Sequence, residues 1–319
     1  PRIALPKDYF NTLQLTSPDS AAFPGGDGIG MGIVVAKRDD PVRTIGRAWI
    51  NQPVQEEIAL RIGDYAERFA SRNRHSDRHL ILIDPEDVSC ICTMKIRFPG
   101  DPLGVTAIGS ETYGSAGLRE GYYARALATA RKHRLDGIGA EGVTGTVAAG
   151  FPQLGLLIRA GEVTNTAAPI RHALGGTSGP LMKARVYPAL SWDSFIDTCD
   201  ANFGALPYGA LVQLDPALDL MALFDTGKLS FPAYRILEAM QNYGWYMVDS
   251  SDGGSGKGVR MGIYASNTAS EYERVRPPSA DSSGVYAVSQ ELARFITGDP
   301  FFGVNPSFYV VAPLVKMTP

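Results

Sequence analysis

The sequence predicts a mainly β protein, an antiparallel sandwich or double jelly-roll-like body with about three peripheral helices. Glycine and proline recur every few residues from Gly137 to Gly209, a spacing that admits no helix of useful length and favours short strands and turns. Leu80 to Asp84 and Val88 to Phe98 are two apolar runs joined at Asp84-Pro85, which reads as a β-hairpin. Trp245-Tyr-Met-Val-Asp249 and Phe308 to Val315 read as further strands, and Pro313 marks the second as a sheet edge because it donates no ladder hydrogen bond.

Along the chain, residues 1–45 read as an extended or Gly-rich N-terminal arm and residues 46–319 as the β-rich globular body, with room for two fused halves. The glycines from Pro24 to Gly32 come before an apolar run, the reverse of the strand-glycine-helix order that a dinucleotide site requires. From Pro53 to Ala70 the residues Ile58, Ile62, Tyr65 and Phe69 return every three or four positions, which predicts a first helix. Alanine-rich Leu118 to Arg134 predicts a second, stopped by Gly137 and Gly139. Pro232 to Tyr243 predicts a third, with Ser230 as N-cap and Gly244 as stop.

Thirty Lys and Arg against 33 Asp and Glu leave a formal net charge of -3 with no basic block. That excludes a nucleic-acid partner held by counterion release. No segment approaches the ~20 apolar residues that cross a bilayer, so no membrane span is expected. The cysteines are Cys90, Cys92 and Cys199; in a strand the first two project to one face, and with no histidine close by they read as buried free thiols. There is no G-x-S-x-G elbow, no H-E-x-x-H and no EF-hand loop, and no cofactor or metal is expected.

Several segments in order carry a resemblance: Asp77-Arg-His-Leu-Ile-Leu-Ile-Asp84, Ala149-Gly-Phe-Pro152 through Arg159 and Glu162-Val163, Ile170-Arg-His-Ala-Leu174, Leu206-Pro-Tyr-Gly-Ala210, and Ala239 to Asp249. Together they resemble a family of largely uncharacterised secreted bacterial proteins. The chain departs from the pattern at Val147, where an acid is expected, and at Val186-Tyr-Pro188, where a Trp-Pro segment is expected. The resemblance implies an exported, extracellular or cell-surface protein that is carbohydrate-active or carbohydrate-binding, with a polysaccharide as its ligand and no mechanism specified. The opening Pro1, with neither Met nor signal peptide before it, reads as a processed or engineered start, which leaves a removed targeting sequence open.

Of the four histidines, His79 and His172 fall inside those segments. A histidine near neutral pKa exchanges protons, and Glu162 or Asp84 is a carboxylate able to orient one; His79, Glu162, His172 and Asp249 form the candidate catalytic set. Glu111, Glu141 and Asp215 also stand near turns, with Asp84-Pro85 and Asp215-Pro216 suited to making them. Tyr243, Trp245, Tyr246, Tyr187 and Trp192 are candidates for a sugar-stacking platform, with inward packing of Trp245 and Met247 as the competing expectation. The rival function is a structural subunit of a fibre, capsid or surface layer that associates with itself.

Overall fold

The computed structural model describes residues 2–7, 9–16, 32–47, 56–69, 80–94, 96, 98, 122–124, 126–127, 133–134, 147–151, 153–164, 166, 168–178, 181–192, 206–250, 259–264, 284–311 and 316–317. The chain forms two compact units: Pro1–Thr16 with Val147–Gly150 and Gly155–Pro319, and Ser17–Thr146 with Phe151–Leu154. Within the expected N-terminal arm, β1 (Arg2–Ala4) and β2 (Phe10–Thr16) are strands of the first unit.

The second unit holds β3 (Gly32–Val35), β4 (Val42–Arg47), β5 (Glu56–Arg61), β6 (Leu80–Asp84), β7 (Ser89–Met94), β8 (Tyr122–Ala124), β9 (Ala126–Leu127) and β10 (His133–Arg134). They make two sheets, ordered β10-β7-β6-β3, with β9 also on β7, and β5-β4-β8. Val34, Leu80 and Leu82 from one sheet share a core with Ile45, Ile58 and Leu60 from the other.

The helix expected over residues 53–70 is corrected: its described residues, 56–69, form β5 followed by a 3-10 turn, Asp64–Phe69. Ile58, Leu60 and Ile62 alternate with Ala59 and Arg61, and all three are buried. This two-residue period overrode the three-to-four-residue period that Ile58, Ile62 and Tyr65 also satisfy. The helix expected over residues 118–134 is corrected too, since its described residues form β8, β9 and β10. There the helix propensity of alanine yielded to pairing with β4 and β7.

The hairpin stands as expected, with β6 and β7 antiparallel. Asp84 is 2% exposed; its Oδ1 accepts from the Glu86 amide at 3.1 Å and its Oδ2 from the Arg61 amide at 3.3 Å. The Val88 amide donates to the Pro85 carbonyl at 3.3 Å, closing the turn with Val88 at φ 48°. A β-branched residue is strained in that left-handed region.

The first unit continues with α1 (Ala160–Thr164), β11 (Leu174–Ser178), β12 (Met182–Val186), β13 (Pro207–Tyr208), β14 (Leu211–Leu214), α2 (Leu220–Asp225), α3 (Phe231–Asn242), β15 (Trp245–Ser250), β16 (Val259–Tyr264), α4 (Gly284–Ile296), β17 (Phe308–Val311) and β18 (Lys316–Met317). Its main sheet runs β1-β17-β14-β15-β11-β16-β2, and a smaller one runs β13-β12-β18. β17 lies between β1 and β14, so it is not the edge strand expected from Pro313, which falls outside the described residues. β15 is the middle strand. Trp245 is fully buried against Phe10 of β2 and Phe308 of β17, with ring centroids 5.4 and 5.6 Å away. The inward packing of Trp245 and Met247 is as expected.

The third expected helix is α3. Ser230 Oγ accepts from the Ala233 amide at 3.4 Å, and Glu291 of α4 accepts from the Ser230 amide and hydroxyl at 2.6 and 2.7 Å. Gly244 ends the helix at φ 71°, where a Cβ would stand 2.4 Å from the Val212 carbonyl oxygen. The sequence reading passed over α4, whose Val288, Leu292, Phe295 and Ile296 are buried at helical spacing. The fold is thus mainly β with helices, but β11–β15, β2–β16, β3–β6, β4–β8 and β12–β13 pair in parallel. None of the described helices is long and apolar enough to cross a membrane.

Val88→Gly relieves the turn at some cost in unfolded-chain entropy, for an expected net gain of about 0.5–1 kcal/mol. A higher urea midpoint at unchanged slope is the readout; an unchanged or lower midpoint means Val88 is unstrained in solution.

Candidate functional site

Glu162 and His172 are brought together. Glu162 lies on α1 and turns back on its first turn, accepting from the Arg159 amide at 2.9 Å and from Arg159 Nη2 at 2.9 Å. His172 precedes β11, placed there because the Leu174 amide donates to the Gly244 carbonyl. Its Nε2 stands 3.1 and 3.3 Å from the two Glu162 oxygens, and its Nδ1 stands 2.9 Å from the Ala173 carbonyl oxygen. Both ring nitrogens thus stand within hydrogen-bond reach of oxygen atoms of the chain itself. Burial pushes the Glu162 carboxyl upward, but the bonds from His172 and the Arg159 amide, with the charges of His172 and Arg159, hold it below its usual range.

The pair ties α1 to the approach of β11.

Asp249 is not part of it. Along the parallel pair, Leu174 lies beside Trp245 and Thr177 beside Asp249. Asp249 therefore sits at the far end of β15, roughly 13 Å along a strand that rises about 3.3 Å per residue. Its Oδ1 accepts from the Ser250 amide at 2.9 Å and its Oδ2 from the Ala148 amide at 3.4 Å. His79, Glu111, Glu141 and Cys199 lie outside the described residues.

A second cluster forms at the Asp249 end. The Ala149 amide donates to Val248, the Leu190 amide to Ala149, and Ser191 Oγ to Ala148, at 2.8, 2.9 and 2.6 Å. Residues 187–192 are thereby laced onto β15 through residues 148–149. On the other side the Gly209 amide donates to Met247, and Gly209 itself has φ 82° with a hypothetical Cβ 2.3 Å from the Val186 carbonyl oxygen. Glycine is what lets the turn from Val186 to Ala189 close down on β13.

This turn displays Tyr187 with 65% of its surface exposed. Burial and the nearby Tyr187 phenol both raise the pKa of Tyr246 on β15. The Arg185 guanidinium lies over the Trp192 ring at 5.4 Å from its centroid and donates through Nη1 to the Leu190 carbonyl. Of the aromatic candidates, Trp245 belongs to the core and Tyr243 stands at the end of α3, opposite the Asp249 end of β15. Sequence reasoning singled out Tyr187, Trp192 and Tyr246 but missed Arg185, two residues before Tyr187 on β12; the strand alternation that sets Lys183 and Arg185 opposite buried Val186 was the available signal.

Cys90 and Cys92 are buried and free, as expected, and burial pushes their thiols up to about 11 and about 12. Among the described residues no group of three His, Cys, Asp or Glu side chains gathers to hold a metal. Comparison with family models, curated proteins and solved structures finds no match.

Because the Glu162 carboxyl is held low in the fold, its contribution to stability is present above the unfolded glutamate value of about 4.3 and is lost as pH falls through the lower folded value. Glu162→Gln is expected to cost about 1 kcal/mol at pH 7 and almost nothing once the wild-type carboxyl is protonated. Urea titrations of both proteins at falling pH read this; a difference that stays constant as the pH drops below the unfolded glutamate value contradicts it.

Proposed function

We propose that this chain is an exported carbohydrate-binding protein whose contact surface is the loop bearing Tyr187 and Trp192, with Tyr246 beside it. The observation that carries the reading is Tyr187, a large ring 65% exposed on a turn tied down by backbone bonds. Exposed aromatic faces give apolar contact to the C–H faces of a sugar, and a pre-ordered loop lowers the entropy cost of binding. Kinship with the secreted bacterial family, and the export it implies, rest on the ordered segments, several of which pack around β15. The common core of the two sheets in the second unit supports a sandwich-like reading of that unit.

Affinity electrophoresis in gels cast with soluble polysaccharides, followed by calorimetry, tests the proposal. Tyr187→Ala and Trp192→Ala are each expected to weaken binding about tenfold, the equivalent of 1.4 kcal/mol, with the fold intact by circular dichroism. Unchanged affinity in both variants sinks the site.

One observation favours the assembly reading as well: β1 is at the edge of the main sheet, exposed along its length, with Ile3 55% exposed. Such an edge can pair with another chain. Growth in sedimentation coefficient with concentration that Ile3→Lys abolishes supports it; a monomer at every concentration overturns it.

A further inference from the structure

Resting on the carbohydrate reading above, we propose that Arg185 is the positioning residue of the Tyr187 surface: it holds Trp192 and the loop between them in place, and the surface then takes polysaccharides by the faces of their sugars, whatever their charge.

Arg185 is the last residue but one of β12, the middle strand of the sheet β13-β12-β18, and stands in register with Tyr208 on one side and Met317 on the other. Its backbone is set by two ladders before the loop begins. From that anchor the side chain crosses the loop. Nη1 donates to the Leu190 carbonyl, and the guanidinium lies over the Trp192 ring at 5.4 Å from its centroid. These contacts join a residue before Tyr187 to two residues after it. The loop is thus closed by a chord from within, in addition to the bonds that Leu190 and Ser191 make to residues 148–149.

The guanidinium is committed to this task. Arg185 is half-buried, and its Nε is buried with no hydrogen-bond partner among the described residues. Desolvating that donor costs free energy, which attraction between the cation and the ring offsets. An indole turns about only two side-chain bonds, so one such contact removes much of its freedom. That loss is then met in folding and does not fall on binding.

Calorimetry with xylan, dextran, polygalacturonate and fully methyl-esterified polygalacturonate tests this, together with fluorine NMR of protein carrying 5-fluorotryptophan. The tryptophans are Trp49, Trp192 and Trp245; Trp192→Phe assigns the resonance of interest, and buried Trp245 reports the fold. Arg185→Met is expected to move the Trp192 resonance toward that of free indole, to leave Trp245 unmoved, and to weaken glycan binding about fivefold. Added to Trp192→Ala, the same change is expected to cost less than about twofold more, because its effect runs through the ring. Arg185→Lys keeps the cation without the planar fork and is expected to recover part of both effects. Polygalacturonate and its ester are expected to bind within about twofold of each other, with little response to salt. An unmoved Trp192 resonance, or losses that add in full in the double variant, overturns the positioning role; should the Trp245 resonance show Arg185→Met to be unfolded, Arg185→Lys decides by the same two readings. A preference for the charged polymer overturns the indifference to charge, and one that Arg185→Met erases also makes Arg185 a ligand contact. Binding of no polysaccharide overturns the carbohydrate reading, and the Trp192 resonance alone then decides whether Arg185 orders the loop.

Discussion

The burial of Trp245 is the constraint on which the first unit hangs. A Trp side chain removes more apolar surface from water than any other, and here it does so in the middle strand of a seven-stranded sheet, between Phe10 and Phe308. Those three rings come from strands far apart in sequence, so seating Trp245 sets where β2 and β17 must lie. Once β15 is fixed, alternation does the rest: Trp245 and Met247 go inward, and Tyr246 stands on the other face. Gly244, just before it, is held against the Val212 carbonyl, where no side chain fits, so the register of α3 against β14 and β15 has little freedom.

The two units solve the same problem with different material. In the second unit the core is aliphatic and shared by two small sheets, and a buried carboxylate, Asp84, is kept tolerable by two backbone amides and by Arg61 at 3.9 Å. A buried charge without such donors would be costly. In the first unit the corresponding economy is at Glu291, which satisfies the first orphan amide of α3 and its capping hydroxyl together.

Legibility in the sequence followed the strength of local signals. The hairpin at Asp84-Pro85, the capped helix beginning at Ser230 and the alternating strand from Trp245 were readable because a turn residue, a cap or a two-residue period fixes each without outside help. Residues 53–70 were misread because Ile58 and Ile62 fit both periods, and only the partner strand β4 decides between them. The stretch from Leu118 was misread because alanine's helix preference is weak beside strand pairing. In the site, the meeting of Glu162 with His172 was legible as a carboxylate ten residues from a histidine. The separation of Asp249 from that pair was not, because it depends on β11 and β15 running parallel, a fact of topology that no local pattern records.

That parallel register also explains why the two ends of β15 have different characters. At the Trp245 end the polar side chains engage one another: Glu162 accepts from Arg159 and stands against His172, whose other ring nitrogen faces the Ala173 carbonyl. At the Asp249 end the binding together is done largely by main-chain groups of residues 148–149 and 189–190, with Ser191 and Asp249 as the side-chain participants. Backbone atoms that hold a loop do not occupy its rings. Tyr187 is consequently displayed by a loop that backbone bonds hold, and among the described residues the ring of Trp192 meets the Arg185 guanidinium. On the carbohydrate proposal, a loop ordered before a ligand arrives lowers the entropy cost of binding it.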